Sequence, residues 1–269
     1  MSEAALLVDR EGHLVTLTMN RPRFKNSMNA EMLCRLADAW ETINADDEVR
    51  VVILTGAGGI FSAGADLDAI ARRRYDKQPP RDEFERRLYD DLSIMWKALL
   101  RDSRCNKPIV AAVEGPCIAG GTEILESTDI RVAGEGATFG ISEVRWSVIP
   151  MAGSTVRLRR QIPYTKAMEM LLTGDHYPAE EALQMGLIGK LVPTGQALAT
   201  AREIASRVAA NGPLAVRGIK RSVQEGEVLP EKEALAIELE IGIKVAMSED
   251  AREGPKAFLE KRVPDYKGR

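Results

Sequence analysis

Two glutamates stand out because both lie among small or apolar residues, where a carboxyl group can act as an acid or a base. Glu123 follows Gly120 and Gly121 at the start of a predicted helix, and Glu143 lies in the segment Phe-Gly-Ile-Ser-Glu-Val-Arg-Trp at residues 139–146. The helix dipole alone would favour an acid at the first position, and apolar neighbours would shift the protonation of the second. Two carboxyl groups beside a reacting centre can divide the duties of general base and general acid. Their spacing along the chain does not establish that they meet.

Two loops of small residues supply the second chemical feature. Residues 61–67 (Phe-Ser-Ala-Gly-Ala-Asp-Leu) follow an apolar strand at 49–54, and residues 114–123 follow another at 108–113. Small side chains let the backbone approach a ligand closely, so main-chain N–H groups can face it. An oxyanion hole needs two such groups that converge on one developing negative charge. The paired loops therefore favour chemistry at an acyl group.

Alternating strand and helix signals surround these loops and predict an α/β core. The predicted strands are 13–20, 49–54, 108–113, 130–133, 138–139 and 187–192, and the predicted helices are 29–44, 82–101, 164–172 and 179–185. From residue 197 the pattern is almost wholly helical, with helices predicted at 197–210, 213–224, 231–247 and 251–261. We therefore expect an α/β core at residues 1–195 that carries the site, followed by a helical subdomain at 196–269.

The composition excludes several classes of function. The 269 residues carry 37 basic and 40 acidic side chains, a net charge of −3, which gives no electrostatic reason to bind nucleic acid or an anionic membrane. Charges interrupt every apolar stretch, so no membrane span is expected. Three scattered cysteines and no secretory leader at residues 1–10 predict a reducing, cytoplasmic location. The two histidines, His13 and His176, lie in unrelated settings and argue against a multi-histidine metal site or a serine–histidine triad.

Nucleotide-binding and serine-hydrolase motifs are incomplete. Gly56 and Gly58 begin a dinucleotide fingerprint, but Phe61 stands where its third glycine is expected. A phosphate-binding P-loop is missing, and Ser154 lacks the flanking glycines of a nucleophile elbow. Residues 68–87 form a basic, proline-broken stretch that is either a solvated loop or a mobile lid carrying positive charge towards an anionic ligand.

Taken together, the motifs resemble the crotonase superfamily, and the enoyl-CoA hydratases within it, in the same order across nearly the whole chain. The matching segments are residues 20–29, 61–67, 115–123, 139–150 and 253–262. The resemblance implies a spiral of ββα units with a helical C-terminal region, assembled as a homotrimer or a dimer of trimers. It also implies binding of a CoA thioester, whose oxygen would accept hydrogen bonds from the backbone N–H groups of Ala65 and Gly120.

The resemblance assigns further residues to CoA. Those expected to contact the nucleotide, its phosphates or the pantetheine are Arg23, Phe24, Lys25, Ala63, Ala65, Asp66, Leu67 and Gly120. Phe258 and Lys261 match a segment that approaches CoA in a neighbouring subunit. Glu123 and Glu143 match the acid and base positions of the hydratases, which favours water addition to a 2-enoyl-CoA without a metal or redox cofactor.

Two departures from the family pattern affect the acyl end. Ala119 precedes Gly120 and Gly121 where a triple glycine is frequent, and residues 151–154 (Met-Ala-Gly-Ser) are poorer in glycine than usual. Together with Trp146, they predict a reshaped acyl pocket. The acyl group of the substrate could therefore be short, long, branched, aromatic or steroid-derived. The alternatives to hydration are another reaction of the family, such as double-bond isomerisation or thioester hydrolysis, and a non-catalytic CoA- or RNA-binding role.

Overall fold

The computed structural model describes residues 3–74 and 76–269. Nine strands and twelve α-helices lie within these ranges. The strands are β1 (Leu6–Glu11), β2 (Leu14–Met19), β3 (Val51–Gly56), β4 (Ile109–Val113), β5 (Pro116–Ile118), β6 (Ile130–Gly134), β7 (Thr138–Gly140), β8 (His176–Pro178) and β9 (Lys190–Val192). The helices are α1 (Ala30–Ala45), α2 (Leu67–Arg74), α3 (Glu83–Asp90), α4 (Ser93–Ala98), α5 (Gly120–Leu125), α6 (Ser154–Gln161), α7 (Tyr164–Thr173), α8 (Ala179–Gln184), α9 (Ala197–Ala209), α10 (Pro213–Gly226), α11 (Glu231–Ala246) and α12 (Glu249–Leu259).

A six-stranded sheet forms the centre, in the order β1-β2-β3-β4-β6-β9. Only the β1–β2 pair is antiparallel, and the remaining pairs are parallel. The central strands β3 and β4 are buried along their length because helices cover both faces of the sheet. This explains why their sequences are continuous apolar runs and not alternating ones.

The two faces of the sheet have separate apolar cores. Helix α1 packs on one face through side chains at helical spacing, including Met32, Leu36 and Trp40, and the side chain of Asn29 caps its start by accepting the Met32 N–H. Helix α9 covers β3, β4 and β6 on the other face through Ala197, Ala201 and Ala205. These small side chains let the helix lie close to the strands.

A second, three-stranded sheet positions the loops of interest. Its order is β5-β7-β8, with β5 and β7 parallel and β7 and β8 antiparallel. Helix α5 follows β5 directly, and residue 143 begins a 3-10 turn, Glu143–Trp146, just after β7. The two glutamates therefore come from the ends of neighbouring parallel strands.

The α/β class and the C-terminal run of helices are as predicted. The predicted helix at 82–101 is wrong in its continuity, because the side chain of Asp91 accepts the Ser93 N–H and starts a separate helix, α4. Residues 68–87 are also not simply a loop, since α2 and α3 occupy most of them. The division at residue 195 stays a prediction. Within residues 3–74 and 76–269, no helix has the length and apolar character needed to cross a membrane.

Candidate active site

The two small-residue loops lie against each other and are joined by main-chain hydrogen bonds. The Phe61 N–H donates to Glu114 O at 2.7 Å and the Ser62 N–H to Pro116 O at 2.9 Å, while the Ile118 N–H returns to Ser62 O at 2.9 Å. Because β3 and β4 are parallel neighbours, the loops that follow them emerge at the same edge of the sheet. The two loops are therefore neighbours in the structure, and their predicted service of one site stays a prediction.

The predicted pair of N–H donors is brought together. A Cβ built on Gly120 would lie 3.7 Å from Ala65 N, and one built on Gly64 would lie 2.8 Å from Gly120 N. Gly64 has a φ of +86°, so only glycine fits this close approach without strain. In the described part of the chain, neither the Ala65 nor the Gly120 N–H donates a hydrogen bond to another residue. Both donors are therefore free to bind an oxygen of a ligand.

One carbonyl group holds the turn that presents Gly120. Gly140 O accepts the Ala119 N–H at 2.8 Å and the Thr122 hydroxyl at 3.0 Å. Ala119 has φ +53° and ψ −125°, a conformation that costs an L-residue free energy and persists only when its surroundings hold it. The β7 strand thus fixes the geometry of residues 119–120, the predicted oxyanion turn.

Glu123 is held by backbone N–H groups of the loop before α6. Its Oε1 accepts the Ala152 N–H at 2.6 Å, and its side chain is 5% exposed. Burial raises the pKa of Glu123, and the N–H groups of Ala152, Ser154 and Gly153 oppose that rise by stabilising the carboxylate. These main-chain donors were not predicted, because a backbone N–H carries no signal of residue type.

Glu143 lies at the first position of a 3-10 turn, and its own backbone N–H stabilises its carboxylate. In the described ranges its Oε2 is buried and has no hydrogen-bond partner. Burial, and then the negative charge of Glu123, raise the pKa of Glu143 to about 7. The two carboxyl groups are therefore close enough to interact, and ionised Glu123 favours the protonated form of Glu143. This is the division expected of a base and an acid.

A third buried carboxyl group of the site, Glu126, lies near Glu123, and the sequence analysis did not predict it. Its Oε1 accepts the Ser154 hydroxyl at 2.7 Å, so it anchors the same loop whose N–H groups hold Glu123. Burial first, and also the charge of Glu123, raise its pKa to about 8. From the sequence, Ser154 was excluded as a nucleophile and placed at the acyl end. In the structure its N–H helps to hold Glu123 and its hydroxyl donates to Glu126.

The residues predicted to contact CoA lie on two adjacent segments. The Ala63 N–H donates to Lys25 O at 2.9 Å, which places the exposed 23–25 turn beside the 61–67 loop. Asp66 is ion-paired with Arg21 at 2.9 Å, so its carboxylate ties these segments together. Arg23, Phe24, Lys25, Ala63, Asp66 and Leu67 thus share one surface next to Ala65 and Gly120.

Two other predicted features lie apart from this surface. Phe258 lies in the exposed last turn of α12 and Lys261 two residues beyond its end. Within residues 3–74 and 76–269, neither side chain forms a hydrogen bond or ion pair with the loops above. Their predicted role concerns a neighbouring subunit and stays a prediction. In the basic stretch, Arg81 pairs with Glu85 and Arg87 with Asp38, while the side chains of Arg73 and Arg74 lie outside the described part.

The chain matches the enoyl-CoA hydratase/isomerase family over residues 9–269. An enoyl-CoA hydratase of Mycobacterium tuberculosis is 54% identical over 263 residues, covering 98% of this chain and 96% of the relative. The 2,3-dehydroadipyl-CoA hydratase of Escherichia coli is 35% identical, with full coverage of both chains. Among solved structures, an enoyl-CoA hydratase of Mycobacterium tuberculosis has a TM-score of 0.87 at 38% identity, covering 99% of this chain and 100% of that one.

The protein therefore belongs to the enoyl-CoA hydratase/isomerase family and has the crotonase fold. An enoyl-CoA hydratase of Bacillus anthracis gives the same result at 35% identity, with a TM-score of 0.88 and coverage of 98% of this chain and 100% of that one. The resemblance drawn from the motifs is confirmed.

Proposed function

We propose that the chain is an enoyl-CoA hydratase, which adds water across the 2,3 double bond of a 2-enoyl-CoA thioester. The observation that carries this proposal is that two carboxyl groups, Glu123 and Glu143, interact beside two free N–H donors, and that the charge of Glu123 helps to raise the pKa of Glu143 to about 7. Members of the family that only polarise a thioester need the donors but not both carboxyls. The family relationship and the hydratases among the relatives support the same reaction.

In the proposed mechanism, ionised Glu123 removes a proton from a water molecule as its oxygen adds to C3. The thioester oxygen becomes enolate-like and is stabilised by the N–H groups of Ala65 and Gly120. The loss of one such donor costs about 3 to 4 kcal/mol in other enzymes. Glu143 then delivers its proton to C2, so that one water has been added and the site returns to its starting state after proton exchange.

The structure suits these two roles in different ways. Glu123 is fixed by the Ala152 N–H, and the N–H groups around it oppose the rise in its pKa that burial causes, which favours the role of a base. Glu143 has a pKa of about 7 and a free buried oxygen, so it can hold a proton near neutral pH and give it up in the reaction. Every proton transfer is assigned to a protein group, so we expect activity to survive dialysis against a chelator.

The test follows the absorbance of the conjugated enoyl thioester with 2-enoyl-CoA substrates of short, long and bulky acyl chains. We expect wild type to consume at least one of them and Glu123→Gln and Glu143→Gln to lose at least about 10²-fold in kcat. Glu203→Gln, at an exposed position of α9, is the matched control and should retain full activity. Mass analysis distinguishes a hydrated product from an isomer, which would indicate double-bond isomerisation, and from free CoA, which would indicate thioester hydrolysis.

Assembly as a homotrimer or a dimer of trimers is part of the proposal. Exposed apolar side chains recur at four-residue spacing on α11, at Leu235, Leu239 and Ile243, and Phe258 on α12 is 82% exposed. Such a stripe on a helical region supports burial against other subunits. Light scattering after gel filtration should give a mass of three or six chains, and a monomer would contradict the proposal.

We also propose a cytoplasmic location, which the chemistry of the cysteines supports. Cys34, Cys105 and Cys117 are buried and form no disulfide. Fractionation of cells that express the protein should place it with the cytosolic enzymes.

A further inference from the structure

We infer that His176 is a positioning residue, which holds the turn that carries Glu143 through its hydrogen bond to Ser142. This inference rests on the proposed function in its kinetic consequence, although its structural part can be tested without turnover. His176 is one of only two histidines in the chain. The resemblance to known relatives had not assigned it a role.

The need for such a residue follows from the surroundings of Glu143. Its Oε2 is buried without a partner among the described residues, so a hydrogen bond to that atom does not fix the carboxyl group. The position of the acid therefore depends on the backbone turn Glu143–Trp146 and on what holds that turn. A displacement of about 1 Å in a reacting group can cost about 10²-fold in rate.

The segment that follows α7 holds the turn at two points. Ser142 Oγ and His176 Nε2 are 2.7 Å apart, a hydrogen bond directly before Glu143. Arg145, two residues after Glu143, pairs with Asp175. The acid is thus flanked on both sides by contacts to adjacent residues of one segment.

The same imidazole also packs against the strand that supports the oxyanion turn. Gly140 pairs with His176 between β7 and β8, and a Cβ built on Gly140 would lie 2.5 Å from His176 Cδ2. Only a residue without a side chain can therefore occupy position 140 beneath the ring. Since Gly140 O holds Ala119 and Thr122, His176 contacts the supports of both the acid and the oxyanion turn.

The charge state of the ring suits a role in positioning. Burial, and then the neighbouring Arg145 guanidinium, lower the pKa of His176, while Asp175 opposes the effect. A neutral imidazole can accept the Ser142 hydroxyl proton at Nε2, so the contact needs no protonated histidine. His176 therefore adds no positive charge that would draw the proton from Glu143.

The test is a double-mutant cycle on the hydration reaction. We expect Ser142→Ala and His176→Ala each to lower kcat by about 10-fold with little change in KM, because the substrate contacts remain while the acid is misplaced. The double variant should be no slower than the slower single variant, because both changes remove one contact. His176→Gln, whose amide can reach the Nε2 position, should recover most of the activity.

His13→Ala is the matched control. This ring also makes one hydrogen bond, at 2.7 Å to Glu48 O, but lies directly before β2 and away from the site, so the variant should keep the wild-type kcat. Independent losses that multiply in the double variant would overturn the inference. The inference would also be overturned if both single variants had kcat values within about twofold of wild type, because so small a change would mean that the contact does not affect the reaction.

A second readout separates failure of this inference from failure of the proposed function. The protonation of Glu143 can be followed by infrared spectroscopy of protein labelled with ¹³C-glutamate, with the band assigned by its loss in Glu143→Gln. We expect Ser142→Ala to lower the pKa of Glu143 from about 7 towards its ordinary value, because a loosened turn admits water to the carboxyl group. An unchanged pKa would overturn the inference even if wild type adds no water to any substrate.

Discussion

Replacing Glu143 by glutamine should make the protein more stable at alkaline pH while slowing hydration at least about 10²-fold. Burial and the charge of Glu123 raise the pKa of Glu143 from 4.5 to about 7, so the folded chain retains a proton that the unfolded chain releases. The free energy of unfolding therefore falls as pH rises from about 4.5 to about 7, and the loss persists above that range. The difference corresponds to about 3 kcal/mol.

Glutamine cannot ionise, so the variant avoids this loss. Relative to wild type, Glu143→Gln should show little ionisation-dependent gain at pH 4 and a gain of about 3 kcal/mol at pH 8. For a chain of this size that gain corresponds to an increase in Tm of about 6 to 12 °C. Ionised Glu143 is thus expected to lower the stability of the folded chain above about pH 7, where the protonated form no longer predominates.

The assay is thermal unfolding of both proteins at pH 4, 6 and 8 and at one protein concentration, since subunit association also affects Tm. Glu203→Gln, at an exposed position of α9, is the control and should show no gain that grows with pH. A difference between Glu143→Gln and wild type that is constant across pH would refute the reasoning, because it would mean that Glu143 titrates as an ordinary exposed carboxyl group.

Three further changes test the oxyanion turn and the CoA surface. Gly64→Ala should lower kcat by at least about 10²-fold, because the added Cβ would lie 2.8 Å from Gly120 N, and normal Tm with normal kcat would contradict this. Ala119→Gly should raise stability by roughly 1 kcal/mol in chemical denaturation, because its φ of +53° suits glycine better. Binding of acetyl-CoA should weaken as salt increases, and Arg23→Gln with Lys25→Gln should flatten that dependence in calorimetry. An unchanged salt dependence in the double variant would contradict the assignment of these residues to the phosphates.

The parts of the fold that the sequence predicted are those with long, regular patterns. The buried strands β3 and β4 and the amphipathic helix α1 were found because their apolar residues recur over five or more positions. The strands β5 and β8 were missed, since three residues are too few to show a period, although β7 of the same length was predicted. Helix α2 was missed because its run of basic side chains was interpreted as a loop. The capping residue at its start, Asp66, was not recognised; its carboxylate accepts the Ala69 N–H.

The candidate site, like the fold, could be predicted from the sequence only in part. Residue types identified Glu123, Glu143 and the glycine-rich loops, but their meeting depends on the pairing of β5 with β7, which sequence spacing does not encode. The groups that hold the two carboxyls in place could not be predicted from the sequence either. Glu123 is held by main-chain N–H groups, and the Ser142–His176 contact joins residues that are distant in sequence.

The most direct test of the central claim is the reaction of the wild-type protein with a 2-enoyl-CoA in H₂¹⁸O. We predict that the product carries one ¹⁸O atom bound to carbon, that its thioester remains intact, and that Glu123→Gln and Glu143→Gln form it at least about 10²-fold more slowly. Release of free CoA, or a product with unchanged mass and a shifted double bond, would contradict hydration and identify hydrolysis or isomerisation instead.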